Sequence, residues 1–440
     1  MSYSPGWLVV WVLCKHFVKT DYKAARESIK FFQLSNRAYG AGKRLKAERL
    51  LLIALRLLGD GLPQSYVSLL RSAIAGTSKD PTTRKSLSNS ILSATKEVPV
   101  EIFDASSWYQ LSRGLFSLGY FRAAWFAREN SLDLSISESL ASDASATTLQ
   151  RGIEAHLERR NFSEADAAIR HSTSKISAER VSEFTDYLAM MKSKFRRESN
   201  SEIGADCDGG TIFRQLLRDK NVALVGAGIP TENCGIEIDA FDTVYRVRYF
   251  GFGRSQASDN YGSRCDLAQY YGLDKLLDVE NSENCLFIDT LKLLMTRDSD
   301  LIRIRNKPIL QVNFELPVYR STAVSGIFNL VAALRGAPRA LKLFGFDFYT
   351  KLEQYSASVL DFYRRDGWML GEFWMAGEKG SVPIFEIPLS FSAHDPVSNF
   401  CFAQNLYKAG LFEIEPYGKS ILELTPYQYV ERLEEMLGDW

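Results

Sequence analysis

His394 is the only histidine after His171 in a chain of 440 residues that has four. It stands in SFSAHDPVSNFCFAQNLYKAG (Ser390–Gly410), between a polar loop and a helix start. An imidazole titrates near neutrality, so it can take a proton from a hydroxyl at cellular pH. The plainer reading of a lone histidine here is a loop or cap residue. Tyr349 closes the run GFDFY, and Tyr355 follows after TKLEQ. Two phenols near one strand end can donate to a phosphate leaving group as its charge develops. With 20 tyrosines in the chain, such a spacing also arises by chance. Asp347 of the same run suits a ribose contact or a loop tie better than chemistry.

Two further groups suit an anionic nucleotide. Gly226-Ala227-Gly228 follows the apolar run NVALV, where backbone can approach a phosphate or ribose. Ser325-Gly326 opens IFNLVAALR, and a helix N-terminus offers N–H groups and a positive dipole end. The turn Gly226-Ala227-Gly228-Ile229-Pro230-Thr231 lacks the third glycine of a dinucleotide fingerprint, which disfavours NAD. Of the residues flanking His394, Asp395 or Asn399 either orients the ring or caps the next helix, and capping is expected of Asn399.

These groups need elements to position them. From residue 211 the sequence alternates. TIFRQLLRDK reads as helix, and NVALVGAG, DTVYRVRYF, CDLAQYYG, NCLFIDTL, KPILQVNF, ALKLFGFDFY and VPIFEIPL read as short apolar strands. Strands alternating with helices predict an α/β, Rossmann-like, mostly parallel doubly wound sheet over 211–440.

Residues 1–195 follow a different grammar. RLKAERLLLIALRLL (Arg44–Leu58) and RAAWFARENSLDL (Arg122–Leu134) have amphipathic helical spacing. Leu111–Leu132 aligns with Leu149–Arg170, each with an Arg-Gly pair opening a helix, an aromatic after a short turn (Phe121, Phe162) and alanines in the next helix. Ala38–Leu55 is a third candidate. This pattern resembles tetratricopeptide-type hairpins, which makes an all-α TPR-like array the expectation. Such an array either docks a partner or props up the other half. RRESNSEIGADCDGG (196–210) reads as the linker.

The 53 basic and 53 acidic residues cancel, which argues against nucleic acid as a partner. The six cysteines form no CxxC pair, so no zinc site is expected, and they read as reduced and cytoplasmic. The apolar run Gly6–Cys14 is too short to span a bilayer, which needs ~20 residues. It reads as a buried first helix, or as a peripheral anchor on the inner membrane through Trp7 and Trp11.

The second half resembles a known family. VALVGAGIPTENCGIEIDAFDTVYRVR (Val222–Arg248) is similar to the first nucleotide-binding motif of sialyltransferases, and YGSRCDLAQYYG (Tyr261–Gly272) to the step that follows it. STAVSGIFNLVAALRGAPRALKLFGFDFYTKLEQY (Ser321–Tyr355) is similar to the second motif, and the tyrosine pair to that of bacterial sialyltransferases of the Campylobacter type. The resemblance implies a metal-independent, inverting glycosyltransferase that uses a CMP-sugar donor and no other cofactor. It implies His394 as base, and Tyr349 and Tyr355 as donors to the departing phosphate. Family asparagines are replaced by Ala227, Arg248 and Tyr271. Arg248 then pairs with a phosphate or the donor's carboxylate, or else forms an ordinary salt bridge. The donor is a sialic, pseudaminic or legionaminic acid or Kdo. The expected acceptor is a glycan or protein hydroxyl, and the domain architecture alone suggests docking of flagellin or a bacterial surface glycan by the helical half. The alternative is an inactive CMP-sugar-binding or scaffold protein.

Overall fold

The computed structural model describes residues 81–117, 120–192, 208–228, 233–247, 258–270, 285–296, 303–304, 307–312, 314–351 and 394–438, with Pro230 and Tyr249. The apolar run at Gly6–Cys14, the helix over Arg44–Leu58, the repeat candidate Ala38–Leu55 and the strand over VPIFEIPL lie outside them.

The first described part is helical: α1 (Pro81–Glu97), α2 (Ala105–Ser117), α3 (Phe121–Ser139), α4 (Ala146–Glu158), α5 (Phe162–Ser172) and α6 (Ala178–Met191). α2 with α3 and α4 with α5 are paired helices joined by short turns, and Phe121 and Phe162 each begin the second helix of a pair. The Arg-Gly pairs do not open helices. Arg113-Gly114 lies near the end of α2, and Arg151-Gly152 lies in the middle of α4. Gly152 is required there because a Cβ would collide with the Ser139 side chain of α3.

The second part begins with α7 (Asp208–Leu217), which starts inside the stretch read as linker, and continues with β1 (Asn221–Val225), α8 (Gly235–Asp239), β2 (Thr243–Val247), α9 (Ser258–Tyr261) and β3 (Leu267–Tyr270). β4 (Leu293–Thr296), β5 (Arg303–Ile304), β6 (Lys307–Gln311), α10 (Ser325–Arg335) and β7 (Ala340–Phe344) follow, then α11 (Pro396–Lys408), β8 (Glu413–Ile414), α12 (Pro416–Leu422) and α13 (Pro426–Gly438). The run NCLFIDTL is not a strand. Cys285–Thr290 is a short 3-10 turn, and the strand is the LLMT that follows.

The strands form one sheet in the order β5-β6-β4-β3-β2-β1-β7-β8. Every neighbouring pair is parallel except β5 with β6 at one edge. This α/β architecture is consistent with a Rossmann-like domain. β2, β3 and β4 are buried along their whole length, as parallel strands covered on both faces must be. β1 is an interior strand: Val222 pairs with Thr243 of β2 on one side and Leu341 of β7 on the other. The chain builds outward from β1 through β2, β3, β4 and β6, then returns to add β7 and β8. The switch point therefore falls between β1 and β7, and ligands of such sheets bind beyond the strand C-termini there.

The helical part is packed onto the sheet part. One continuous core holds Trp108, Phe116 and Phe184 together with Leu217, Val222, Leu330 and Phe402. α11 lies between them, buried from Pro396 to Leu406. On one side Tyr187 meets Phe402, ring centroids 5.9 Å apart, and Asn405 Nδ2 donates to the Leu157 carbonyl at 3.0 Å. On the other, Phe400 stacks on Tyr429 at 4.1 Å. Among the described residues no helix is long and apolar enough to cross a membrane.

Candidate functional site

Connection direction alone gathers the candidate residues. In a parallel sheet, a helix that follows a strand begins at the strand's C-terminal edge, and so does a helix that leads into the next strand. α10 follows β6, and α11 leads into β8. Ser325-Gly326 at the start of α10, His394 before α11, Gly226–Gly228 after β1 and Asp347–Tyr349 after β7 therefore share one edge. Contacts join them in a chain. Thr322 meets His394, Val324 N–H donates to Asn399 Oδ1 at 2.9 Å, Gly326 lies against the Phe346 ring, and Phe348 packs edge-on to Phe400.

Gly226 and Gly228 are explained by neighbouring backbone. A Cβ on either would come within 2.5 or 2.7 Å of the Gly345 carbonyl oxygen. Gly345 itself has φ +68°, and its own Cβ would lie 2.6 Å from the Gly228 carbonyl. The glycines expected to make room for a ligand thus make room for each other, so that the ends of β1 and β7 can touch. Ala227 lies between them.

The turn after β7 holds three left-handed residues, Gly345, Phe348 (φ +51°) and Tyr349 (φ +63°). Non-glycine residues pay for that geometry, and such strain collects at functional sites. Asp347 supports it: Oδ1 accepts from Tyr349 N–H at 3.0 Å, and its carbonyl accepts from Thr350 N–H at 3.0 Å. Glu415 accepts from Gly345 N–H at 2.7 Å, and Tyr429 hydroxyl donates to the Phe348 carbonyl at 2.8 Å. Asp347 Oδ2 is buried with no hydrogen-bond partner among the described residues. Burial pushes this carboxyl up to about 7, against the opposing Tyr349 N–H. Asp347 thus ties the loop, one of the two roles expected of it, and its carboxyl is the raised group at the switch point.

His394 is half-buried. Its Nδ1 lies 3.0 Å from both the carbonyl and the hydroxyl of Thr322. A carbonyl oxygen only accepts, so in the neutral ring Nδ1 carries the proton and Nε2 keeps the basic lone pair. The cap of α11 is Asp395, not Asn399: Asp395 Oδ1 accepts from Val397 and Ser398 N–H at 2.9 and 3.2 Å, with Pro396 in the first turn. Asn399 instead ties α11 to the start of α10, accepting from Val324 N–H and donating to the Thr322 carbonyl at 3.3 Å, with a further bond back to the Asp395 carbonyl of its own helix.

The two helix starts differ. α11 is occupied by the Asp395 carboxylate, whereas Val324, the N-cap of α10, supplies no side-chain cap. Inside α10, buried Asn329 donates to Gln269 and to the Ser325 carbonyl at 2.9 and 2.7 Å and meets the Tyr245 hydroxyl.

Arg248, Tyr271 and Tyr355 lie outside the described residues. Gly262-Ser263-Arg264 lies at the opposite edge, where β2 and β3 begin, tied to Asp239. Burial pushes the Asp239 carboxyl up, but donation from Arg264 and Ser263 outweighs it and holds the group below its ordinary range. The second half also carries one Asp-x-Asp triplet, Asp298-Ser299-Asp300, outside the described residues. Among the described residues no His, Cys, Asp or Glu group is arranged to hold a metal.

Sequence reading missed one assembly. Arg128 of α3 is fully buried and grips Glu158 with both Nη atoms, Asp395 at 3.0 Å and Ser398 at 2.6 Å. The only signal was an arginine in the middle of an amphipathic helix. No protein-family model matches the chain, and no curated protein matches it.

Proposed function

We propose that the second half is a glycosyltransferase domain that moves a CMP-activated acidic 2-keto sugar to a hydroxyl, with inversion in a single displacement. The observation that carries this reading is that Thr322, which holds His394 Nδ1, lies two residues before Val324, the N-cap of α10. A candidate base with its proton on Nδ1 thus shares one edge of the sheet with a helix start, the kind of position that suits a phosphate. Nε2 takes the acceptor's proton as its oxygen bonds to the anomeric carbon. The bond from that carbon to the phosphate oxygen breaks, and CMP leaves with its charge received by α10 and by the Tyr349 and Tyr355 hydroxyls. Asp347 holds the Tyr349 turn. A monophosphate leaving group needs no metal, so none is assigned. Sialic, pseudaminic and legionaminic acids and Kdo all fit this donor class. The paired helices of the first half, read as TPR-like, dock the glycan or protein acceptor.

Calorimetry with CMP, followed by hydrolysis of a panel of these CMP-sugars with and without EDTA, tests the reading. Binding of CMP and EDTA-resistant turnover of one donor support it. Turnover that EDTA abolishes moves attention to Asp298 and Asp300. A second reading, a scaffold without catalysis, is favoured by the glycine triad, whose glycines are all accounted for by internal packing. It predicts no turnover of any donor.

A further inference from the structure

We infer that Arg128 is a positioning residue for His394, reaching across from the helical half; this rests on the transferase reading for its catalytic consequence. His394 sits in a seat with two walls. One is the first turn of α11, with Asp395 and Ser398. The other is the loop Tyr319–Thr322, whose Thr322 holds Nδ1. The walls touch each other, since Asp395 N–H donates to Ser321 Oγ at 2.7 Å and Ser398 Oγ donates to the Tyr319 carbonyl at 3.0 Å. Arg128 grips both. Its Nε donates to Asp395 Oδ2, its Nη2 to Ser398 Oγ, and its guanidinium lies 5.4 Å from the Tyr319 ring centroid.

The grip is anchored in the helical half. Glu158 of α4 takes both Nη atoms. The Tyr319 hydroxyl lies 2.7 and 2.8 Å from Ser131 and Ser135 Oγ of α3, and Arg320 N–H donates to Glu154 of α4 at 3.2 Å. A buried cation between two buried carboxylates is a poor way to add stability, since apolar side chains of similar volume often do as well. What the planar guanidinium supplies is direction: fixed N–H vectors that hold the first turn of α11 against α4, while its face lies over the Tyr319 ring of the 319–322 loop. The imidazole stands where α11 and that loop meet, so their register sets where Nε2 points.

The test uses the full chain labelled with 15N-histidine. In wild type, the His394 signals are expected to show Nδ1 protonated and Nε2 unprotonated. Arg128→Lys, and the milder Ser398→Ala in case the first fails to fold, are expected to mix the two tautomers at His394 and leave His16, His156 and His171 unchanged. CMP-sugar turnover is expected to lose ~10–100-fold in kcat with KM little changed, because a base displaced by about 1 Å loses on that scale. Arg128→Lys should retain more activity than Arg128→Met. An unchanged His394 spectrum in a folded variant overturns the proposal, whatever turnover does. A changed spectrum with no turnover in wild type upholds the clamp and sinks the transferase reading instead.

Discussion

Arg128 and Asp395 belong to the two halves of the chain, and their side chains meet at 3.0 Å with no exposure of either. The pair ties a helix of the first half to the cap of the helix that His394 precedes. It makes the helical residues part of the site's architecture.

Removing that cation leaves two carboxylates, Asp395 and Glu158, buried without it. Arg128→Met is expected to destabilise the fold by about 3–5 kcal/mol, measured by denaturant unfolding. A loss below ~1 kcal/mol, the range of an exposed pair, would show that the network is solvated in solution.

The continuous core leads to a second expectation. A fragment of residues 208–440 loses the α2–α6 cover over α11, including the Tyr187–Phe402 contact. It is expected to aggregate or lack fixed tertiary structure, which near-ultraviolet circular dichroism reports. A folded fragment that binds CMP would contradict this and restore the two halves as separable domains.

Asp347 gives a pH dependence with a definite sign. Burial pushes its carboxyl up to about 7 in the fold, from an ordinary value of 3.8. Between those values the folded chain binds more protons than the unfolded one, so stability falls as pH rises. The contribution is fully present below roughly pH 4 and is lost through about pH 7. Asp347→Asn keeps an oxygen for Tyr349 N–H and does not titrate. The drop in unfolding free energy from pH 5 to pH 8 is expected to shrink in this variant, and an equal drop in both proteins rules the assignment out.

Two glycines with nearly the same backbone separate strain from space. Gly410 (φ +72°) has open room around its missing Cβ, whereas Gly345 (φ +68°) faces the Gly228 carbonyl. Gly410→Ala is expected to cost about 1–2 kcal/mol. Gly345→Ala adds about 1–3 kcal/mol of overlap. Equal losses in thermal unfolding would mean that β1 and β7 do not approach as described.

Much of the sheet was legible because parallel strands buried on both faces are plain apolar runs. NVALV, the core of DTVYRVRYF, and ALKLF lie where their sequences put them. NCLFIDTL misled because an apolar run of that length also fits a 3-10 turn. β5 and β8 have two residues each and carry no pattern. At the site, Asp-Pro before α11 was the available cap signal, and it pointed to Asp395 rather than Asn399. The Arg128 network joins residues far apart in sequence, and side-chain periodicity holds no record of such pairings. The glycine turn was visible, but the partner that requires it, Gly345, only appears once β1 and β7 are neighbours.

The most direct measurement is CMP-sugar turnover by wild type and His394→Ala, with CMP affinity measured on both. If His394 is the base and α10 receives the phosphate, as proposed, His394→Ala is expected to cut kcat by ~10²–10⁴-fold and leave CMP binding in place. Turnover that persists unchanged in His394→Ala, or a wild-type protein that binds neither CMP nor any CMP-sugar, would contradict the account.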